Sequence, residues 1–280
     1  MTLRLFRSGA QRASGRSGGA RVQLLAATML AVAGLSVVPS AASAATMKVV
    51  IVVGPVESMT STYISDATAL ARQARSYGAA VTEIYSPRAT WSRVRSAAQG
   101  ANLFIYLGHG NGWPSPYAPF RSTSKDGLGL NATSGNGNSN TKYYGEYYLI
   151  HYIRLAPNAV VILNHLCYSA GNSESWQPNP TKSVARQRID NYGAGFLRTN
   201  ARVVFAEARN TAGYILYSLF RTNRTMRQIF WSSSRATHSY AFSFTSSRTS
   251  GMTAISDPYA PSRYYRSVIG KLDMSAATWR

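Results

Sequence analysis

One cysteine is all the thiol chemistry this chain carries: Cys167 has no second cysteine to pair with. An internal disulfide is therefore excluded, leaving an intermolecular bond, a free reactive thiol or an inert core residue. Acids are also scarce, ten against 30 basic residues, so the formal net charge is +20. Such a balance invites nucleic acid as a partner, but the arginines are scattered and no basic helix or nucleic-acid motif occurs. No specific nucleic-acid binding is expected; non-specific contact with anionic envelope polymers is. No fixed-period repeat is present, which argues against a solenoid. Beyond residue 44 no apolar run approaches the roughly 20 residues that a membrane span needs.

What is there begins with a leader. Residues 1–21 hold Arg4, Arg7, Arg12, Arg16 and Arg21 and no acid. Val22–Val38 is a largely apolar run, followed by Pro39 and Ser-Ala-Ala-Ser-Ala-Ala. That order is the charged, apolar and small-residue succession of a secretory signal peptide, cleaved near Ala44. The expected product is a secreted or extracytoplasmic protein, residues 45–280, with no stable membrane anchor. Loss of the five leader arginines leaves 25 basic residues against ten acids, a net charge near +15.

The rest reads as alternating strands and helices. Met47–Val53, Ala79–Tyr85, Leu103–Leu107, Asn158–Leu166 and Ala201–Phe205 are apolar strands; helices are expected over Thr60–Tyr77, Thr90–Ala98, Tyr143–Arg154, Ser183–Thr199, Tyr214–Phe220 and Met226–Trp231. Nearly uninterrupted apolar strands between helices predict an α/β fold, a three-layer sandwich around a mainly parallel central sheet. One domain over residues 45–280 suits that length. Asn111–Lys142 is a long polar insertion, with the stiff aromatic stretch Trp113-Pro-Ser-Pro-Tyr117 placed to wall a pocket and Ser134–Thr141 expected to be loose. Tyr240–Phe244 and Tyr264–Ile269 read as late strands or coil.

Ligands in such sheets bind beyond the carboxyl ends of the strands. His109 lies there, between Gly108 and Gly110 at the end of the third strand, and Cys167 lies at the end of the fourth. An imidazole beside a thiol supplies the base that converts a weak nucleophile into a thiolate. The N–H groups of Gly110 and Cys167 are candidate oxyanion donors. His165 is expected as a hydrogen-bonded histidine beside the pocket, and Trp113 as part of its wall. Glu207, after the fifth strand, is a candidate for selecting a basic substrate side chain. A competing arrangement is a metal site of His109, His165 and Cys167, completed by Glu174. Neither Ser115 nor Ser169 lies in Gly-x-Ser-x-Gly, which argues against serine chemistry.

An apolar strand ending in His-Gly, followed 58 residues later by an apolar strand ending in Cys, resembles the caspase-like cysteine peptidases, the group of the caspases, legumain, clostripain and gingipains. The resemblance spans Lys48–Phe205 in element order and two short blocks in residue detail. His165-Leu166 stands where the family often has an acidic and a small residue, and Gln-Ala-Cys-x-Gly is absent. It implies a caspase-like fold and a cysteine endopeptidase acting on protein or peptide, without a cofactor. His109 would be the proton carrier, Cys167 the nucleophile and Gly110 an oxyanion donor. A non-catalytic binding protein on the same fold, presenting Trp113–Tyr117, is the alternative.

Overall fold

The computed structural model describes residues 46–280 apart from 210 and 211. The expected signal peptide lies outside the described residues. Among the described residues there are ten strands, eight of them in one large sheet: β1 Lys48–Val53, β2 Ala80–Tyr85, β3 Leu103–Leu107, β4 Leu128–Asn131, β5 Thr141–Tyr144, β6 Ala159–Asn164, β7 Ala201–Glu207, β8 Phe242–Thr245, β9 Thr253–Ser256 and β10 Arg266–Gly270. The helices are α1 Thr60–Ser76, α2 Trp91–Ala98, α3 Glu146–Tyr152, α4 Lys182–Leu197, α5 Gly213–Arg221, α6 Met226–Trp231 and α7 Ala276–Trp279. The main sheet runs β2-β1-β3-β6-β7-β10-β9-β8. Its first five strands are parallel and its last three pair antiparallel.

Strand alternation divides the core into two. Val50, Val52, Phe104 and Tyr106 face one layer, where α2, α3 and α4 pack. Val49, Ile51, Val53, Leu103, Ile105 and Leu107 face the other, against α1, α5, α6 and α7. Both faces of the central strands are fully buried, which is why they read as continuous apolar runs. Each such Val, Ile or Leu contributes about 1.5–3 kcal/mol by leaving water. The three-layer α/β sandwich expected from the sequence is the observed architecture.

Helix ends follow local chemistry. Ala67, Leu70, Ala71 and Ala74 form the buried stripe of α1. Gly78 closes that helix at φ 85°, a left-handed conformation that costs glycine little. The Thr181 hydroxyl accepts the Val184 N–H to start α4. Thr225 and Gln228 form a reciprocal capping box for α6.

Three local expectations need correction. The polar insertion is not all loop, because β4 and β5 pair as an antiparallel hairpin with Leu128 and Leu130 fully buried. Gly129 between those leucines and Asn131 after them make the segment read as loop. The Tyr106 hydroxyl clamps this hairpin to β3, donating to Gly129 O at 2.7 Å and accepting Gly129 N–H at 2.9 Å. The aromatic helix begins at Glu146, since Tyr143 and Tyr144 belong to β5. Finally, β6 stops at Asn164, and His165 takes φ 60°.

Candidate functional site

Leu107 of β3 pairs in register with Asn164 of β6, so the two following loops leave the sheet at one rim. They meet backbone to backbone. A Cβ on Gly110 would come within 2.1 Å of Cys167 O, and one on Gly112 within 2.3 Å of Tyr168 Cβ. Only glycine permits that approach, so His109 and Cys167 are carried on touching loops. Among the described residues, neither the Gly110 nor the Cys167 N–H donates a hydrogen bond within the chain.

A third strand end joins them. β1 finishes beside β3, and the turn after it places Glu57 against the histidine. Glu57 Oε2 lies 2.9 Å from His109 Nε2, with the imidazole 30% and the carboxylate 57% exposed. A carboxylate on Nε2 favours the tautomer with its proton there, leaving the Nδ1 lone pair free to accept one. Glu57 was not anticipated from the sequence. Its signal was positional: it follows the carboxyl end of the strand next to β3, the edge where ligands are expected.

Around this pair a cleft of about 480 Å³ is lined by Glu57, His109, Gly110, Tyr117, Tyr143 and Glu174, with Asn111 and the 76% exposed Trp176. Glu174 is held in place, its Oε2 accepting from Tyr117 Oη and Gln177 Nε2, both at 2.7 Å. Cys167 adjoins the cleft through Gly110 rather than lining it. Burial, reinforced by the negative charge of Glu174 and opposed by Arg188, pushes its thiol up to about 11. At neutral pH roughly one molecule in ten thousand would carry a thiolate. Arg188 is another residue the sequence did not disclose. It ties the Cys167 loop to the insertion, donating to Pro114 O at 2.7 Å and to Asn172 O at 2.9 Å.

His165 occupies a different environment from His109. Its backbone N–H donates to Glu207 O at 2.9 Å, and its ring stacks on Tyr63 at 5.2 Å. Asp66 Oδ2 lies 3.5 Å from Nε2, close enough for attraction but not aligned as a hydrogen bond. Burial lowers the imidazole pKa, partly opposed by Asp66 and by a backbone hydrogen bond with Ala208. His165 and Cys167 both lie beyond the strand, which ends at Asn164.

Three further expectations are corrected. Glu207 does not line the cleft: it is fully buried and its carboxylate is held by Arg266 Nε at 3.1 and 3.3 Å and by the Tyr214 hydroxyl. A buried carboxylate needs such partners, and they leave it unavailable to substrate. Trp113 is half-buried outside the cleft, its backbone N–H donating to Asp126 Oδ1 at 3.0 Å; Tyr117 and Trp176 supply the aromatic wall. Burial pushes the Asp126 carboxyl up to about 8. The His₂Cys metal arrangement is also not formed, since each histidine faces its own carboxylate. Among the described residues no group of three or more His, Cys, Asp or Glu could hold a metal ion.

No protein-family model matches the chain, and no curated protein does. Among solved structures the chain is similar to the Arg-specific cysteine proteinase gingipain R, with 13% sequence identity and a TM-score of 0.34. The match covers 82% of this chain and 61% of that one, so the chain spans less than two thirds of that structure's length. No residue role is carried over from it.

Proposed function

We propose that the chain is an exported cysteine peptidase-like hydrolase, with Cys167 as nucleophile and His109 as proton carrier. The observation that carries this reading is the backbone contact between Gly110 and Cys167, which brings two chemically competent loops to one rim beside an open cleft. Glu57 would hold the imidazole in the tautomer that accepts a proton and would stabilise the imidazolium formed. The N–H groups of Gly110 and Cys167, without acceptors among the described residues, are the oxyanion donors.

The elevated thiol pKa sets the order of events. A resting thiol at about 11 is not an ion pair with His109. Deprotonation would therefore accompany attack: the sulfur–carbonyl bond forms as the proton passes to His109 Nδ1. The imidazolium then protonates the leaving amine, and water hydrolyses the thioester by the reverse transfer.

The test is labelling with a peptidyl chloromethyl ketone near neutral pH, read by intact-protein mass. Wild type should gain one label at Cys167, and His109→Ala should lose it. A thiol that labels only after unfolding would defeat the reading. The same elevated pKa favours one second reading, a non-catalytic binding protein that uses the cleft and Trp176; its function would survive Cys167→Ala.

A further inference from the structure

The rim carries a second, oppositely charged cavity. About 610 Å³ in volume, it lies over the ends of β7, β10 and β9, lined among others by Arg209, Arg235, Thr237, Asp257, Tyr259 and Tyr265. Asp257 is already engaged: it accepts from Thr237 Oγ1 at 2.8 Å, Thr237 N at 3.0 Å, His238 N at 2.9 Å and Arg266 Nη1 at 2.7 Å. Arg266, the third cation of the lining, is itself occupied by Asp257 and Glu207. Arg209 and Arg235 are exposed and pair with no carboxylate among the described residues. The Arg209 guanidinium stands 4.0 Å over the Tyr265 ring, which holds it in place and leaves its N–H edge available.

Shared lining residues link this cavity to the cleft at His109 through a third. A cleft of about 310 Å³ shares Glu174 with the catalytic side and Arg209 and Tyr265 with the basic side, and adds Arg263. This row of three cavities has Glu57 and Glu174 at one end and arginines without a carboxylate partner at the other. Guanidinium matches a carboxylate through two parallel hydrogen bonds.

We propose that Arg209 and Arg235 form a carboxylate-recognising subsite for an acidic side chain of a polypeptide substrate. This rests on the peptidase reading of the neighbouring cleft. From the end of β6 across β7 and β10 to β9 is one to three strand spacings, roughly 5–14 Å. An extended peptide covers that in about two to four residues. The acidic residue is placed that far from the bond attacked at Cys167.

Fluorogenic peptides carrying Glu, Gln or Lys at each position two to four residues from the cleaved bond provide the test. At one position Glu should be preferred over Gln by about tenfold in kcat/KM, the worth of a charge-assisted contact. The preference should shrink at high salt and vanish in the Arg209→Ala, Arg235→Ala double variant. Arg235→Glu should shift preference toward the Lys peptide. A Glu preference untouched by the double variant, or no Glu preference in wild type, overturns the subsite. If wild type cuts none of these peptides, binding of the labelled set is read by fluorescence anisotropy. Glu-dependent binding lost in the double variant then upholds the subsite while the peptidase reading fails, and Glu-independent binding overturns the subsite.

Discussion

Two histidines follow two adjacent strands of this protein, each facing a carboxylate, and their surroundings give them different chemistry. His109 is 30% exposed, 2.9 Å from Glu57 and open to a cleft. His165 is 19% exposed, 3.5 Å from Asp66 and stacked on Tyr63. Burial disfavours a charge on His165, whose ring packs on Tyr63 at the foot of the Cys167 loop. His109 has solvent access and a well-aligned acid. The contrast teaches that a histidine–carboxylate pair has no fixed meaning; solvation and alignment decide it.

The sharpest way to break this contrast is kinetic. Against a peptide that the protein cleaves, His109→Ala should lower kcat by about 10²–10⁴-fold, the usual worth of a general base. His165→Asn should cost less than about tenfold. Equal losses would show that the two imidazoles share the proton transfer.

A smaller effect is expected from their acids. Glu57→Gln keeps a hydrogen-bonding partner but removes the charge. Because the pair is partly exposed, kcat should fall by only about fivefold. Asp66→Asn should leave kcat unchanged.

The smallest effect is on stability. His165 has a folded-state pKa below its unfolded value, so on acidification the unfolded chain binds the proton first. Stability should therefore decline as pH falls below about 6.5, the ordinary histidine value, and the decline should end once the folded-state pKa is passed. The Tm difference between pH 7 and pH 5 should be smaller in His165→Asn than in wild type. An unchanged difference would remove His165 from the acid response.

Elements whose sequence signal is local were legible in the chain. β3 spans Leu103–Leu107 as expected, because a five-residue apolar run between Asn102 and Gly108 has few other uses. α6 matches as well, being framed by its own capping box. The hairpin of β4 and β5 was not legible, since four-residue strands rich in glycine and polar residues resemble loop. Nor was β9, whose Thr253–Ser256 has no apolar run of its own and is defined by β10 and β8 on either side. At the candidate site, His109 and Cys167 stood out in the sequence because each follows an apolar run, and the structure brings the two loops that carry them into contact. Glu57 was not, being 52 positions from its partner. Glu207 was misread, since nothing local shows that Arg266 reaches it across 59 positions.

From the sequence alone came the alternation of buried strands and helices, and with it the rim where a candidate site was expected. Periodicity and apolar runs are nearest-neighbour properties, written wherever the chain is read. Which carboxylates face solvent, which are locked to arginine, and that the Gly110 backbone rests on Cys167 were decided only by folding. Desolvation and ion pairing depend on residues far apart in the chain, and distance in space has no image in distance along it.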